Sequence, residues 1–302
     1  MRISVIIPAY QAEDTIRGCL DSIVGQADQT IVVDDGSSDG TASLVESEYP
    51  SVILVRQENQ GVAVARNTGM GVAQGDYIVF SDADDNLYAG ALAKAKESLR
   101  DAIPDLVILR SFTGETEQYP WIGRFVPGHD YGLEDIVGKG YVRGSVWGCL
   151  YRRAFLEKHN LSFPGGISMA EDQLFLNAVI ARGAVIRFLD IPLYHFNVRS
   201  GSLSRSYGDH YFRRLSDALL DAPRMIPDTA LCTHVQLSIL LGMAKVAVLT
   251  GRSARWVMRN TELKKALPLS LAGLKKGRLV ARLTNLGFPF LYDAVRIRLL
   301  FQ

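Results

Sequence analysis

Short apolar runs alternate with helically spaced segments from residue 3 to about residue 109. Ile3-Ser4-Val5-Ile6-Ile7 predicts a fully buried strand, halted by Pro8, which has no N–H to give to a ladder. Glu13 to Val24 carries Ile16, Leu20 and Ile23 on one helical stripe. Thr30-Ile31-Val32-Val33 predicts a second strand, ending at Asp34-Asp35-Gly36-Ser37-Ser38-Asp39-Gly40. A helix over roughly 41–48 leads to a strand at Val52-Ile53-Leu54-Val55. Gly61 to Ala73 is a helix of small residues, Tyr77 to Phe80 a strand, 87–99 a helix and Leu106 to Leu109 a strand. Strands alternating with helices imply βαβ units, so the expected fold is α/β, with a mostly parallel sheet flanked by helices. In such sheets ligands bind beyond the carboxyl ends of the strands.

From about 111 to 165 the pattern loosens, and Gly, Pro and aromatic residues increase. Asp130 to Asp135 predicts a loop opening a short helix, and Val146 to Phe155 a strand-like segment joined to another helix. A helix is expected from Met169 to about Arg182 and a strand over Val185 to Leu189. Pro192-Leu193-Tyr194-His195-Phe196 then leads into a polar loop, Asn197 to Ser202. Beyond Tyr207 the spacing is helical throughout, over roughly 207–221, 228–250, 252–267 and 278–300. The expected division is therefore a sheet-bearing part, 1–205, and a helical part, 206–302.

Charge sharpens that division. The net charge of +1 conceals twelve Lys or Arg against two acids in residues 245–302, a local +10 that leaves −9 on residues 1–244. A basic tail on an acidic body suggests an anionic partner for the tail, a membrane surface or nucleic acid. Amphipathic basic helices around Lys264-Lys265 and Lys275-Lys276-Gly277-Arg278 suit anionic lipid, and a solvated basic face is the plainer account. No zinc-finger spacing or aromatic–basic array points to nucleic acid. Cys19, Cys149 and Cys232 are widely spaced and odd in number, which suits a reducing compartment rather than a disulfide framework. The first residues turn polar too soon for a signal peptide, and the apolar run Val235 to Thr250 is interrupted by Lys245. The expected location is cytoplasmic, with a peripheral place at the inner face of the membrane left open.

The chemistry centres on Ser81-Asp82-Ala83-Asp84-Asp85, at the end of the Tyr77 to Phe80 strand. Crowded carboxylates at a buried strand end are costly unless something positive pairs with them. An all-oxygen set suits Mg²⁺ or Mn²⁺, and Mg²⁺ is usually held by one or two carboxylates plus a substrate's phosphates. A turn of solvated acids is the competing account. A calcium loop of the EF-hand type is excluded, because Leu87 and Ala93 stand where it needs Gly and an acid.

Four segments in order carry a resemblance: Val5-Ile6-Ile7-Pro8-Ala9-Tyr10, Val32 to Thr41, Gly61-Val62-Ala63-Val64-Ala65-Arg66-Asn67, and Phe80 to Asp85. They resemble the successive signatures of glycosyltransferase family 2, and Trp147 to Arg152 and Glu171-Asp172 match as well. The resemblance covers about residues 1–205 and implies an inverting GT-A enzyme that uses a nucleotide-diphosphate sugar, UDP-linked by preference. It implies a divalent metal, Mg²⁺ or Mn²⁺, and a hydroxyl acceptor on a glycan or lipid-linked glycan of a bacterial-type cell surface.

The resemblance also distributes roles. Pro8, Ala9 and Tyr10 would wall the nucleobase, although a strand stop with a core tyrosine accounts equally for them. Asp35 is similar to the acid that accepts a hydrogen bond from a uracil-type N–H. Glu13 has a ribose role or is a helix-start acid, and Arg66 lies near the donor phosphates or the carboxylate cluster. Asp82 and Asp84 match the D-x-D pair, with Asp84 contacting metal and Asp82 nearer the ribose or a metal water; Asp85 is a supporting ligand or acceptor-side acid. The base must stand apart from the metal, and Glu171-Asp172 resembles the family's E-D motif, which implies Asp172 as base and Glu171 as its neighbour or an acceptor binder; acids are also favoured at any helix start. His195, Arg199 and Ser202 would close over the diphosphate, and Trp147 stacks on a sugar or belongs to the core.

Two other function classes are weighed. A dinucleotide-dependent oxidoreductase needs G-x-G-x-x-G after the first strand, where Pro8-Ala9-Tyr10-Gln11-Ala12-Glu13 stands. A non-catalytic glycan or membrane adaptor on a degenerate transferase fold would have no need of acids at three strand ends.

Overall fold

In the computed structural model, the structure describes residues 1–141, 143–198 and 209–249. The chain divides into two compact units, residues 1–200 and 201–302.

The first unit is built on one sheet. Its strands are β1 (Ile3–Ala9), β2 (Gln29–Asp34), β3 (Ile53–Arg56), β4 (Tyr77–Phe80), β5 (Asn86–Leu87), β6 (Leu106–Thr113), β7 (Thr116–Gln118), β8 (Asp130–Tyr131), β9 (Cys149–Arg152) and β10 (Ile186–His195). The main path runs β3-β2-β1-β4-β9-β6-β10-β5, with β7 on β6 and β8 on β10. The alternating apolar runs produce the parallel part, in which β1 pairs with β2 and β4, and β2 with β3. All seven residues of β1 are buried, as expected of a β-branched run at the centre of a sheet covered on both faces.

Register brings the functional strand ends to one rim. Ala9 lies opposite Asp34 and Ile6 opposite Phe80, so the residues that follow β1, β2 and β4 emerge together. Beyond β4 the chain reverses: β9 runs antiparallel to both β4 and β6. Its leading end, with Trp147 just before it, therefore meets the same rim. β10 runs parallel to β6, which carries its closing residues Tyr194 and His195 there too, paired with β5.

Helices α1 (Ile16–Ile23), α2 (Thr41–Glu48), α3 (Val62–Val72), α4 (Ala91–Ser98), α5 (Leu133–Gly138), α6 (Arg153–Lys158) and α7 (Glu171–Ala181) connect these strands. The stripe Ile16, Leu20 and Ile23 of α1 is buried, each such side chain contributing roughly 1.5–3 kcal/mol. Small residues in α3 have a steric cause: a Cβ on Gly69 would stand 2.4 Å from Cγ2 of Ile6, so α3 approaches β1 too closely for a side chain.

Two expectations change. The helix expected over 87–99 starts later, at Ala91, because Leu87 pairs with Tyr194 in the sheet and Gly90 turns left-handed. The strand expected over Val185–Leu189 continues to His195, and Pro192, with no N–H for the ladder, sits at a break in its register with β6.

In the second unit, α8 (Asp209–Met225) and α9 (Thr229–Leu249) are joined where Gln236 donates to the Leu219 carbonyl at 3.0 Å. Phe212 and Leu219 of α8 and Leu231, Val235 and Ile239 of α9 are buried. The helices expected over 252–267 and 278–300, with their Lys and Arg clusters, lie outside the described residues. Among the described residues no helix is long and apolar enough to cross a membrane.

Candidate active site

The centre of the rim is Arg66 of α3. Its guanidinium is 3% exposed, a costly burial for a charge unless acids surround it. Nη1 donates to Oδ1 of Asp172 at 2.5 Å and to Oε1 of Glu171 at 3.3 Å, while Nη2 donates to Oδ1 of Asp82 at 2.9 Å. The ring of Phe163 lies against its carbon, 5.3 Å from ring centre. One cation thus joins the loop after β4 to the first turn of α7. Three carboxylates share that single positive charge, and its pKa is raised further above the ordinary arginine range, with Asp172 the largest favourable influence against burial.

The pKa of Asp172 is raised as well, which for a carboxyl favours the neutral form. Burial pushes its carboxyl up to about 8; Arg66 opposes that shift, and Glu171 and Asp82 add to it. Its second oxygen, Oδ2, accepts from the Val146 N–H at 3.4 Å. A carboxyl that burial holds above its usual range, in spite of the helix start and the cation beside it, is suited to take up a proton.

The loop after β4 divides its acids. Asp82 and Asp84 are both partly exposed. Asp85 is 0% exposed: Oδ2 accepts from Tyr194 Oη at 2.6 Å and Oδ1 from the Asn197 N–H at 2.7 Å. Its carboxyl is raised to about 7, chiefly by burial, against hydrogen bonds from Tyr194 and Asn197. Asp85 therefore fastens the loop to the end of β10, and its burial leaves the acceptor-side expectation without support. Neither Tyr194 nor Asn197 was expected here; only the pairing of β10 with β5 reveals them, and no local spacing encodes it. Tyr194 also donates nothing to Asp82 but accepts that residue's N–H at 3.0 Å, so a single phenol organises both ends of the motif.

After β2, Asp35 is 3% exposed and accepts three hydrogen bonds, from Gln57 Nε2, the Gln60 N–H and the Gly61 N–H. A carboxylate offers about four acceptor sites, so room for one further N–H donor remains. Pro8 and Ala9 are buried in β1, whereas Tyr10 is 53% exposed, as a wall for a flat ligand requires. Glu13 accepts from the Gly40 N–H at 2.9 Å, holding the loop before α2. Trp147 is half-buried and stacked on Tyr194, with ring centres 4.9 Å apart. His195 lies edge-on to Tyr88, and its Nδ1 is 3.1 Å from Oδ1 of Asn197. Arg199 and Ser202 lie outside the described residues.

Residues 4–159 match the family described as Glycosyl transferase family 2, just over half of the chain. The chain belongs to that family. Among its relatives, the glycosyltransferase EpsH of Bacillus subtilis strain 168 is 30% identical over 224 residues, 70% of this chain and 64% of EpsH; the chain thus spans less than two thirds of that relative. The crystal structure of S. aureus TarS 1-349 in complex with UDP-GlcNAc has a TM-score of 0.63 at 24% identity, covering 80% of this chain and 72% of that one. The mannosyltransferase PcManGT from Pyrobaculum calidifontis, in complex with GDP-Man and Mn2+, has a TM-score of 0.56 at 20% identity, covering 98% and 83%. These likenesses show the GT-A fold, a central sheet flanked by helices.

Proposed function

We propose that this protein transfers a sugar, with inversion, from a nucleotide-diphosphate sugar to a hydroxyl of a glycan or lipid-linked glycan. The observation that carries the reading is the Arg66 junction, which ties Asp82 of the donor loop to Asp172 at the start of α7. Donor-side and proton-accepting groups are thereby held together by one rigid cation. Asp172 removes the proton from the acceptor hydroxyl as that oxygen attacks the anomeric carbon, and Glu171 shares Nη1 of Arg66 with it. Tyr10 and Asp35 frame the nucleobase, and the remaining acceptor site of Asp35 favours a uracil-type N–H. The exposed part of Trp147 offers a stacking face to a sugar.

The residues fit a divalent cation. Asp82 and Asp84 are partly exposed and one residue apart, whereas among the described residues no set of three His, Cys, Asp or Glu forms a complete cage. A site of two carboxylates completed by phosphate oxygens is the arrangement Mg²⁺ favours, and Mn²⁺ accepts the same oxygen donors. Bound there, the ion would neutralise the departing diphosphate. The PcManGT complex holds Mn2+ and the TarS complex a UDP-sugar, which supports this choice of ion and donor. The +10 charge of residues 245–302 supports a peripheral position on an anionic membrane at its cytoplasmic face.

A panel of nucleotide sugars, assayed with Mg²⁺ or Mn²⁺ for release of nucleoside diphosphate, tests the reading. Turnover of at least one UDP-sugar, lost on chelation and in Asp84→Asn, is expected. Wild-type turnover by Asp84→Asn would remove that residue from the mechanism, and a protein that binds no member of the panel would overturn the function.

A further inference from the structure

Among the described residues, Arg143 is the largest fully buried charged side chain that the proposed chemistry does not use. It is 0% exposed and lies between α5 and β9. Among the described residues it forms no ion pair with a carboxylate; its partners are backbone and neutral groups. Nε donates to the Ser145 carbonyl at 3.3 Å, and Nη2 donates to the Trp147 carbonyl at 2.6 Å and to Ser111 Oγ at 3.0 Å. The rings of Tyr119 and Trp147 lie 5.2 and 5.6 Å from its guanidinium carbon. Burying an arginine without an acid is expensive, so what this one organises requires a physical reason.

The answer lies in one peptide plane. The carbonyl and the following N–H of a trans peptide point in opposite directions. Arg143 holds the carbonyl of Ser145, which aims the N–H of Val146 the other way, and that N–H meets Oδ2 of Asp172 at 3.4 Å. Tyr151 Oη steadies the next carbonyl, donating to Val146 O at 3.1 Å. Asp172 is thus held at both oxygens, Oδ1 by Arg66 and Oδ2 by a peptide that Arg143 orients. Gly148 bears the imprint of the same contact. Its φ is +73°, and an added Cβ would stand 2.0 Å from Ser111 Oγ and 2.6 Å from Arg143 Nη2, so only glycine leaves room for the arginine.

We infer that Arg143 is a positioning residue for the base, setting the direction of the Asp172 carboxylate through the Ser145–Val146 peptide. This rests on the assignment of Asp172 as base. It makes Arg143 a determinant of transfer and not of donor binding, since its side chain touches none of the donor-side residues Tyr10, Asp35, Asp82 or Asp84.

The experiment is steady-state transfer by the full chain, comparing wild type with Arg143→Lys and Arg143→Met and recording kcat and donor KM separately. Lysine keeps the charge but cannot span both carbonyls and Ser111; methionine keeps bulk alone. The expected order of kcat is wild type, then lysine, then methionine, with methionine lower by on the order of tenfold to a hundredfold and donor KM within about twofold. Should the methionine variant fail to fold, the lysine variant carries the test with an expected loss of about tenfold. Wild-type kcat in a folded variant, or kcat and donor KM moving together, would overturn the inference. Asp172→Asn run in parallel separates the two ideas. Normal transfer by it removes the base assignment itself, whereas lost transfer there with undiminished Arg143 variants removes only the role of Arg143.

Discussion

The acids after β2 and the acids around Arg66 stand on the same rim and differ in what compensates them. Asp35 is satisfied by a side-chain amide and two backbone N–H groups, all neutral and fixed in place. Asp82, Glu171 and Asp172 share one guanidinium. Neutral donors hold a carboxylate without competing for its proton, so the first arrangement is a rigid wall with an acceptor site to spare. A single buried cation among three acids leaves negative charge in excess, and like charges at close range raise the proton affinity of at least one of them. On the proposed reading, the same kind of side chain on one rim serves recognition in one place and proton acceptance in the other.

The sharpest way to break this contrast is Asp172→Asn. Loss of a general base costs about 10²–10⁴ in rate, so transfer falls by that factor while donor affinity, measured by calorimetry, stays within about twofold. A parallel loss of donor affinity would move Asp172 to the recognition side. Next in size is Arg66→Met. It leaves three acids without their shared cation, and removing one partner of a buried ion pair costs roughly 3–5 kcal/mol. Denaturant unfolding is expected to show that loss. A change below about 1 kcal/mol would mean that the acids are already neutralised by shared protons.

Much of this arrangement is legible in the sequence, and the remainder has an identifiable cause. The buried strands β1, β2 and β4 follow from β-branched runs, and the acids closing β2 and β4 announce a rim. Arg66 stands out as a charge in a helix of small residues, and Glu171-Asp172 as acids at a helix start. What no local pattern reveals is that Arg66 and Asp172, 106 positions apart, meet directly. The same holds for Asp85: beside Asp84 in sequence it looks like another ligand, and only Tyr194, 109 positions away, draws it into the core. Long-range pairing also explains Leu87, whose apolar side chain suits a helix start until β10 claims it for the sheet. Short-range chemistry is written in short-range patterns, and the partners that tune it arrive from elsewhere in the chain.

A milder change probes the wall. Asp35→Asn replaces one acceptor oxygen by a donor, so at least one of the N–H groups from Gln57, Gln60 or Gly61 faces another donor, at a cost of about 1–3 kcal/mol. Thermal unfolding is expected to register it, together with a raised KM for the UDP-sugar and little change in kcat. A stability loss with donor KM unmoved would confine Asp35 to holding the loop before α3.

The finest probe is pH. With its carboxyl raised to about 8, Asp172 carries its proton at neutral pH and is freed as pH rises. Only the deprotonated form accepts the acceptor hydroxyl's proton, so kcat/KM climbs with pH, by about tenfold between pH 7 and 9, and then levels. Arg66 stays charged throughout, since its own pKa is raised rather than lowered, and it adds no falling limb in that window. In Asp172→Asn the climb is expected to vanish along with most of the rate. A rising limb centred near the ordinary carboxylate range, about 4, would show that Arg66 outweighs burial at this site. Asp172 would then stand ionised at neutral pH like an ordinary carboxylate, and the contrast between wall and acceptor would lose its basis.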